Sequence, residues 1–186
     1  MIQRSSFSGQ QHCYLCKKGV RIESTLIDTI IDFDKGTVTM FKDSLKSYCT
    51  MTYDQWKGQF AQNKNKLKKE REIKKGITAK ISGVEAVQYL LLNKDRTEKH
   101  LSEEYWTASP KEIPAKFTAP LSELVGLPPE LGVPLRVTQR KRDGRTLNVL
   151  ETLKVTRSTF GPKLLQCPSG YKQVKDAVSL VLGESE

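Results

Sequence analysis

The chain has little of what enzymes and membrane spans are usually made from. It carries only two histidines, His12 and His100, in 186 residues. With no GxSxG segment, a serine nucleophile has no sequence context in which a histidine base could serve it. No GxxxxGKS/T loop and no GxGxxG follows a strand, which removes the common nucleotide-binding motifs. No apolar run approaches the roughly 18 residues of a membrane-spanning helix; the longest candidate is VQYLLL at residues 87 to 92. The opening MIQRSSFSGQ has no apolar h-region, so no signal peptide is visible. That fits a cytoplasmic protein and a mature exported one equally. No internal repeat is found, and a single domain over residues 1–186 is expected.

What is present is an ordinary globular composition, 37% hydrophobic and 28% charged, with a formal net charge of +10. The charge is uneven. In KNKLKKEREIKK, residues 64 to 75, seven lysines or arginines face two glutamates. Such a segment is either a solvated helix end or an attraction for polyanions. It is read as a contact for an anionic membrane surface through Lys66, Lys68, Lys69 and Lys75. Nucleic acid is not expected, because stacking aromatics would have to share an exposed face with the lysines, whereas Trp56 and Phe60 fall where a helix buries them.

From Val20 to Tyr48 short alternating runs are separated by turns, the period-2 pattern of half-buried antiparallel strands. Asp28, Asp32 and Asp34 belong to the wet side of that pattern and not to a hydrolytic pair. Thr52 followed by Gln55 predicts a capping box, with Trp56, Phe60 and Leu67 on one side of a helix beginning near Tyr53. Strands resume as ITAKISG, VEAVQYLLL and EEYWTA. Val87, Tyr89 and Leu91 face one way, Leu90 and Leu92 the other, so this strand should be covered on both faces. Six prolines between residues 109 and 134 leave room only for short helical pieces such as PLSELVG. A hairpin turning at Asp143-Gly144 follows, then LLQCPSGYKQV and a short amphipathic DAVSLVL. The total is about nine or ten strands around one central helix.

The CxxC of Cys13 and Cys16 permits a metal site, a redox pair or a strand that carries cysteines. A zinc site would want a second compact pair, but Cys49 and Cys167 stand alone. A redox pair would want a strand leading into a helix, whereas CYLCKKGVRIE reads as strand, turn and strand. Disulfides and buried free thiols are left. On an extended strand Cys13 and Cys16 leave opposite faces with Cα atoms about 10 Å apart, beyond the usual limit of about 7 Å. The best disulfide arrangement is then one bond from the N-terminal strand to Cys49 and one to Cys167. Neither metal nor cofactor is expected.

Taken in order, KKGVRIES and TIIDFDKGTVTMFKDSLKSYCTMTYDQW resemble the opening of bacterial envelope domains related to the lipoprotein carrier LolA and its receptor LolB, within a subfamily of unknown function. The resemblance rests on Lys18, Gly19, Val20 and Arg21, on Ile30, Ile31, Asp32 and Lys35, and on Tyr48, Thr50 and Met51. It continues through KISGVEAVQYLL, EEYWTASPKEIP, GVPLRV, LETLKVTR and CPSGYKQV, with Trp106, Pro168, Gly170 and Tyr171 as recognisable positions, covering about residues 5–175. It implies a mainly β fold with helices (α+β). The expected form is a strongly curved, open antiparallel half-barrel with one central helix and short helical pieces over its concave face. It further implies a non-catalytic protein of the periplasm or envelope that binds a lipid or lipoprotein acyl chain. The groove would be formed by Trp56, Phe60, Val87, Tyr89, Leu91 and Trp106. If those residues fill a core instead, the chain is an envelope protein–protein interaction domain with no ligand. No anchor cysteine follows a signal sequence, so an anchored LolB-like receptor is not implied.

Overall fold

The computed structural model describes residues 1–59, 71–93, 100–109, 113, 117–125 and 127–182. Its strands are β1 (Ile2–Ser5), β2 (Gly9–Cys16), β3 (Gly19–Glu23), β4 (Asp28–Asp32), β5 (Thr37–Lys42), β6 (Ser47–Thr52), β7 (Arg71–Ile81), β8 (Val84–Asn93), β9 (His100–Ala108), β10 (Val133–Lys141), β11 (Thr146–Lys154) and β12 (Lys172–Gln173). Helix α1 runs over residues 53–59, α2 over Thr118–Glu123 and α3 over Ala177–Leu182. All twelve strands share one sheet in the order β12-β6-β5-β4-β3-β2-β1-β11-β10-β9-β8-β7. Every pairing is antiparallel except β12 on β6. The end strands β12 and β7 do not pair with each other, so the sheet stays open and is not a closed barrel. Short β1 joins the two halves by pairing with β2 on one side and β11 on the other.

Local chemistry accounts for the turns. Asp32 Oδ1 accepts the backbone N–H groups of Asp34 and Lys35 at 3.0 and 3.1 Å, an Asx turn that leads into Gly36 at φ +64°. The hairpin between β10 and β11 closes with Gly144 N–H on the Lys141 carbonyl and Lys141 N–H on the Arg145 carbonyl. Gly144 sits at φ +82°. That is a type I turn followed by a left-handed residue, one step longer than a bare two-residue turn. The predicted capping box is present: Gln55 N–H donates to Thr52 Oγ1 at 3.1 Å, and Thr52 N–H donates to Gln55 Oε1 at 2.9 Å. By residue 71 the chain is already a strand, so Lys74 and Lys75 belong to β7 and not to a helix end.

The sheet curls. From the β7–β8 turn, Ser82 Oγ donates to the Thr152 carbonyl on β11 at 2.7 Å. In a flat sheet, three ladder steps would hold those strands about 14 Å apart. Register shifts at Ile2/Gln3, Lys75/Thr78, Pro134/Arg136 and Val137/Thr138 supply bulges that increase twist. On the concave side, pairing aligns Cys13, Ile22, Thr29, Met40 and Cys49 in one row across β2 to β6, and Leu15, Val20, Ile31, Val38 and Met51 in the next. Much of this surface joins Trp56, Phe117, Leu121 and Trp106 in the main core. The opposite face of β4 is covered too, since Ile30 and Ile31 are both buried. Residues 165–171 pass over Ile30, Thr39 and Thr50 on that opposite face and β12 then extends the edge of β6, while α3 packs against β5 and β6 on the concave side, beside Met40 and Lys42. The alternating pattern of Val20 to Tyr48 thus predicts the strands but not this second cover.

Candidate functional site

The residues expected to line a ligand groove fall into two separate clusters. Leu91, at 2% exposure, packs with Tyr105, Leu127, Val137 and Leu150, and Tyr89 lies against that group. Trp56 and Trp106 belong to the main core. Trp56 stacks on Tyr53 with ring centroids 5.7 Å apart, and Trp106 donates its indole N–H to Glu104 at 2.5 Å. In the β8–β9 ladder Trp106 pairs with Gln88 and Tyr105 with Tyr89, so Trp106 leaves the sheet on the side opposite Val87, Tyr89 and Leu91. Phe60 lies outside the described residues, as do Lys66, Lys68 and Lys69. Lys75 is exposed on β7.

An apolar groove adjoins the Leu91 cluster, sharing Leu150, Val125 and Val149 with it. A cavity of about 420 Å³ opens on the concave side, lined by Phe7, Ile22, Leu26, Met40, Leu150 and Val181 among others. Each part of its rim is built by a serine or aspartate acting on nearby backbone. Ser5 Oγ accepts from Phe7 and Ser8 N–H and presents Phe7 at the β1–β2 turn. Ser24 Oγ accepts from Leu26 and Ile27 N–H and donates to the Ile27 carbonyl, presenting Leu26 at the β3–β4 turn. Thr25 Oγ1 ties these two turns together by donating to the Ser8 carbonyl at 2.8 Å. Past α2, Val125 and Leu127 N–H both return to the Ser122 carbonyl, which turns Leu124 and Val125 to the groove. Asp176 Oδ1 accepts from Ser179 N–H at the start of α3, and this bond holds its carboxyl below the usual range. Lys42 Nζ donates to the Val181 carbonyl at 3.3 Å, fixing the far wall.

Four large apolar side chains stand exposed around this opening: Phe7 at 85%, Leu26, Leu124 and Val181. Turns normally favour polar residues, and contiguous exposed apolar groups of this kind mark interaction surfaces. Sequence reasoning missed the site because its members come from four distant segments. The available signal was a phenylalanine and a leucine placed where turn chemistry predicts polar groups.

Reactive chemistry is not assembled nearby. Among the described residues, no group of three or more His, Cys, Asp or Glu is placed to hold a metal ion, and no helix is long and apolar enough to cross a membrane. All four cysteines are free thiols. Cys13 and Cys49 occupy one concave row but are four ladder steps apart, about 19 Å, and Cys16 leaves the other face of β2. The expected bond from the N-terminal strand to Cys49 is therefore not formed, and Cys167 is unbonded as well. Burial pushes the Cys13 thiol up to about 12, and burial also raises Cys49 and Cys167. Asp28, expected on a wet face, is half-buried; burial raises its carboxyl, which accepts from Ser24 N–H at 3.1 Å and lies 3.7 Å from Arg21.

No family model and no curated protein matches the sequence. Solved structures do match in fold. An uncharacterized conserved protein from Thermus thermophilus is 10% identical, with a TM-score of 0.51, over 89% of this chain and 80% of its own. The MucA/MucB complex of Pseudomonas aeruginosa is 12% identical, with a TM-score of 0.49 over 95% of this chain. This chain spans 56% of that one. A putative outer membrane lipoprotein-sorting protein domain from Vibrio parahaemolyticus is 10% identical over 78% of this chain and 64% of its own, with a TM-score of 0.29. The likeness is one of fold, an open, mainly antiparallel sheet with short helices.

The expected partner, a lipid or lipoprotein acyl chain held between these side chains, is corrected: Leu91 and Tyr89 pack in one cluster and Trp56 and Trp106 in another, so they do not line one groove. Of the basic segment read as a membrane contact, Lys66, Lys68 and Lys69 lie outside the described residues, and Lys75 stands on the end strand β7.

Proposed function

We propose that this chain is a non-catalytic protein-binding domain of the bacterial envelope, and that its docking surface is the groove rimmed by Phe7, Leu26, Leu124 and Val181. One observation carries the reading: four separate elements, each shaped by its own local hydrogen bonds, hold large apolar groups in water around a single opening. Burying a side chain such as Phe7 against a partner is worth about 1.5–3 kcal/mol, and a cluster of such anchors is the usual centre of a protein interface. The envelope setting is supported by the ordered sequence segments that resemble the LolA-related domains.

Photo-cross-linking tests it. A benzophenone amino acid at Leu124, in protein expressed in the native host, should give one covalent adduct with a polypeptide. That adduct should disappear when Phe7→Asp and Val181→Asp are added to a chain that still folds. Cross-links only to lipid, or polypeptide adducts that survive both aspartates, would overturn the assignment.

A further inference from the structure

The two ends of the sheet are treated differently. At one end β12 pairs with Ser47 and Tyr48 of β6, and the pass of residues 165–171 and helix α3 pack beside that strand. At the other, β7 runs for eleven residues, and among the described residues no strand pairs with its outer side. Long open edges are templates for another strand, and proteins normally shorten or cover them. Here Ile73 and Ile77, the latter 66% exposed, stand on the open strand. A bulge interrupts the pairing between Lys75 and Thr78, leaving residues 71–75 and 78–81 as separate extended runs.

Charge decides what fits. Lys74, Lys75 and Lys80 are exposed along β7 against a single exposed carboxylate, Glu72, which lies 3.5 Å from Lys74. The sequence just before the strand adds Lys64, Lys66, Lys68 and Lys69 against Glu70. A second copy pairing through β7 would set lysines against lysines, and each copy carries a net charge of +10; like charges across a strand pair destabilise it. An acidic extended segment meets the opposite condition. Its backbone completes the ladder while its carboxylates on one face meet Lys75 and Lys80, which share a side of the sheet, with Lys74 on the other, the mode of strand addition used by peptide-binding sheets.

We propose that β7 is a second protein-binding site, one that accepts an acidic extended peptide segment as a thirteenth strand. This inference does not depend on the groove. The test uses a ten-residue peptide alternating valine with glutamate, the same peptide with lysine in place of glutamate, and the acidic peptide N-methylated at every second residue. Hydrogen exchange of the full chain should show amides of residues 71–81 slowed about tenfold or more by the acidic peptide alone, with the groove turns unchanged. Lys74→Glu with Lys75→Glu should weaken binding about tenfold while circular dichroism stays the same. Equal binding of the N-methylated peptide would mean charge attraction without strand addition and would overturn the proposal. So would protection at the groove instead of β7, or no saturable binding of the acidic peptide at millimolar concentration.

Discussion

Cys13 is wholly buried and its thiol donates to Gln3 Oε1 at 3.3 Å. The fold therefore holds its neutral form, and the folded value of about 12 lies above the ordinary thiol value of 9.0. A group raised in this way contributes fully below pH 9 and loses its contribution as the pH rises toward 12. Urea unfolding at pH 8, 10 and 11 should show a stability loss that Cys13→Ala does not share, approaching about 1.4 kcal/mol per pH unit. At neutral pH a thiol reagent should reach Cys16 and Cys167 in the folded protein, and Cys13 and Cys49 only on unfolding. Thr52 gives a second check at this scale. Thr52→Ala removes one half of a reciprocal cap and should cost about 1 kcal/mol by urea denaturation.

Gly19 shows how an element depends on one missing side chain. It pairs with Cys16 on one side and Asp32 on the other, and a Cβ there would sit on the backbone carbonyl of Ile31, with Leu165 Cδ1 2.9 Å away. Gly19→Ala should destabilise by about 3 kcal/mol, measured as a shift in the denaturation midpoint. Gly36→Ala meets nothing within 4 Å and should cost only the smaller strain of its positive φ, about 1 kcal/mol. Elements of this kind were legible in the sequence wherever chemistry is local: the cap at Thr52, the turn at Asp32 to Gly36, the hairpin at Gly144 and the alternating strands. Polar β1 was not, because it is a strand only through its neighbours, and the last strand was read too long, over LLQCPSGYKQV, where only Lys172–Gln173 pairs. The site was less legible still. Trp56, Leu91 and Trp106 were rightly read as apolar groups to be buried, yet periodicity does not say which buried groups share a cavity. The side chains that do meet, Phe7, Leu26, Leu124 and Val181, are isolated in sequence and converge only once the sheet curls.

At the scale of the whole molecule, an open sheet that curls but does not close leaves a concave opening and two edges, and each is finished differently. The concave side is filled near Trp56 and left open near Phe7. One edge is partly paired by β12, and among the described residues no strand pairs with the outer side of the other. A net charge of +10 keeps copies of the chain apart and steers acidic partners toward it. The most direct test of the central claim, that the groove takes protein and not lipid, is native mass spectrometry of the chain isolated gently from its own host's envelope fraction. The expected spectrum contains this chain with a second polypeptide, and the heavier species is lost from the Phe7→Asp, Leu124→Asp variant while the variant keeps its fold. A spectrum showing the chain with a lipid-sized adduct, removed by the same two substitutions, would contradict it.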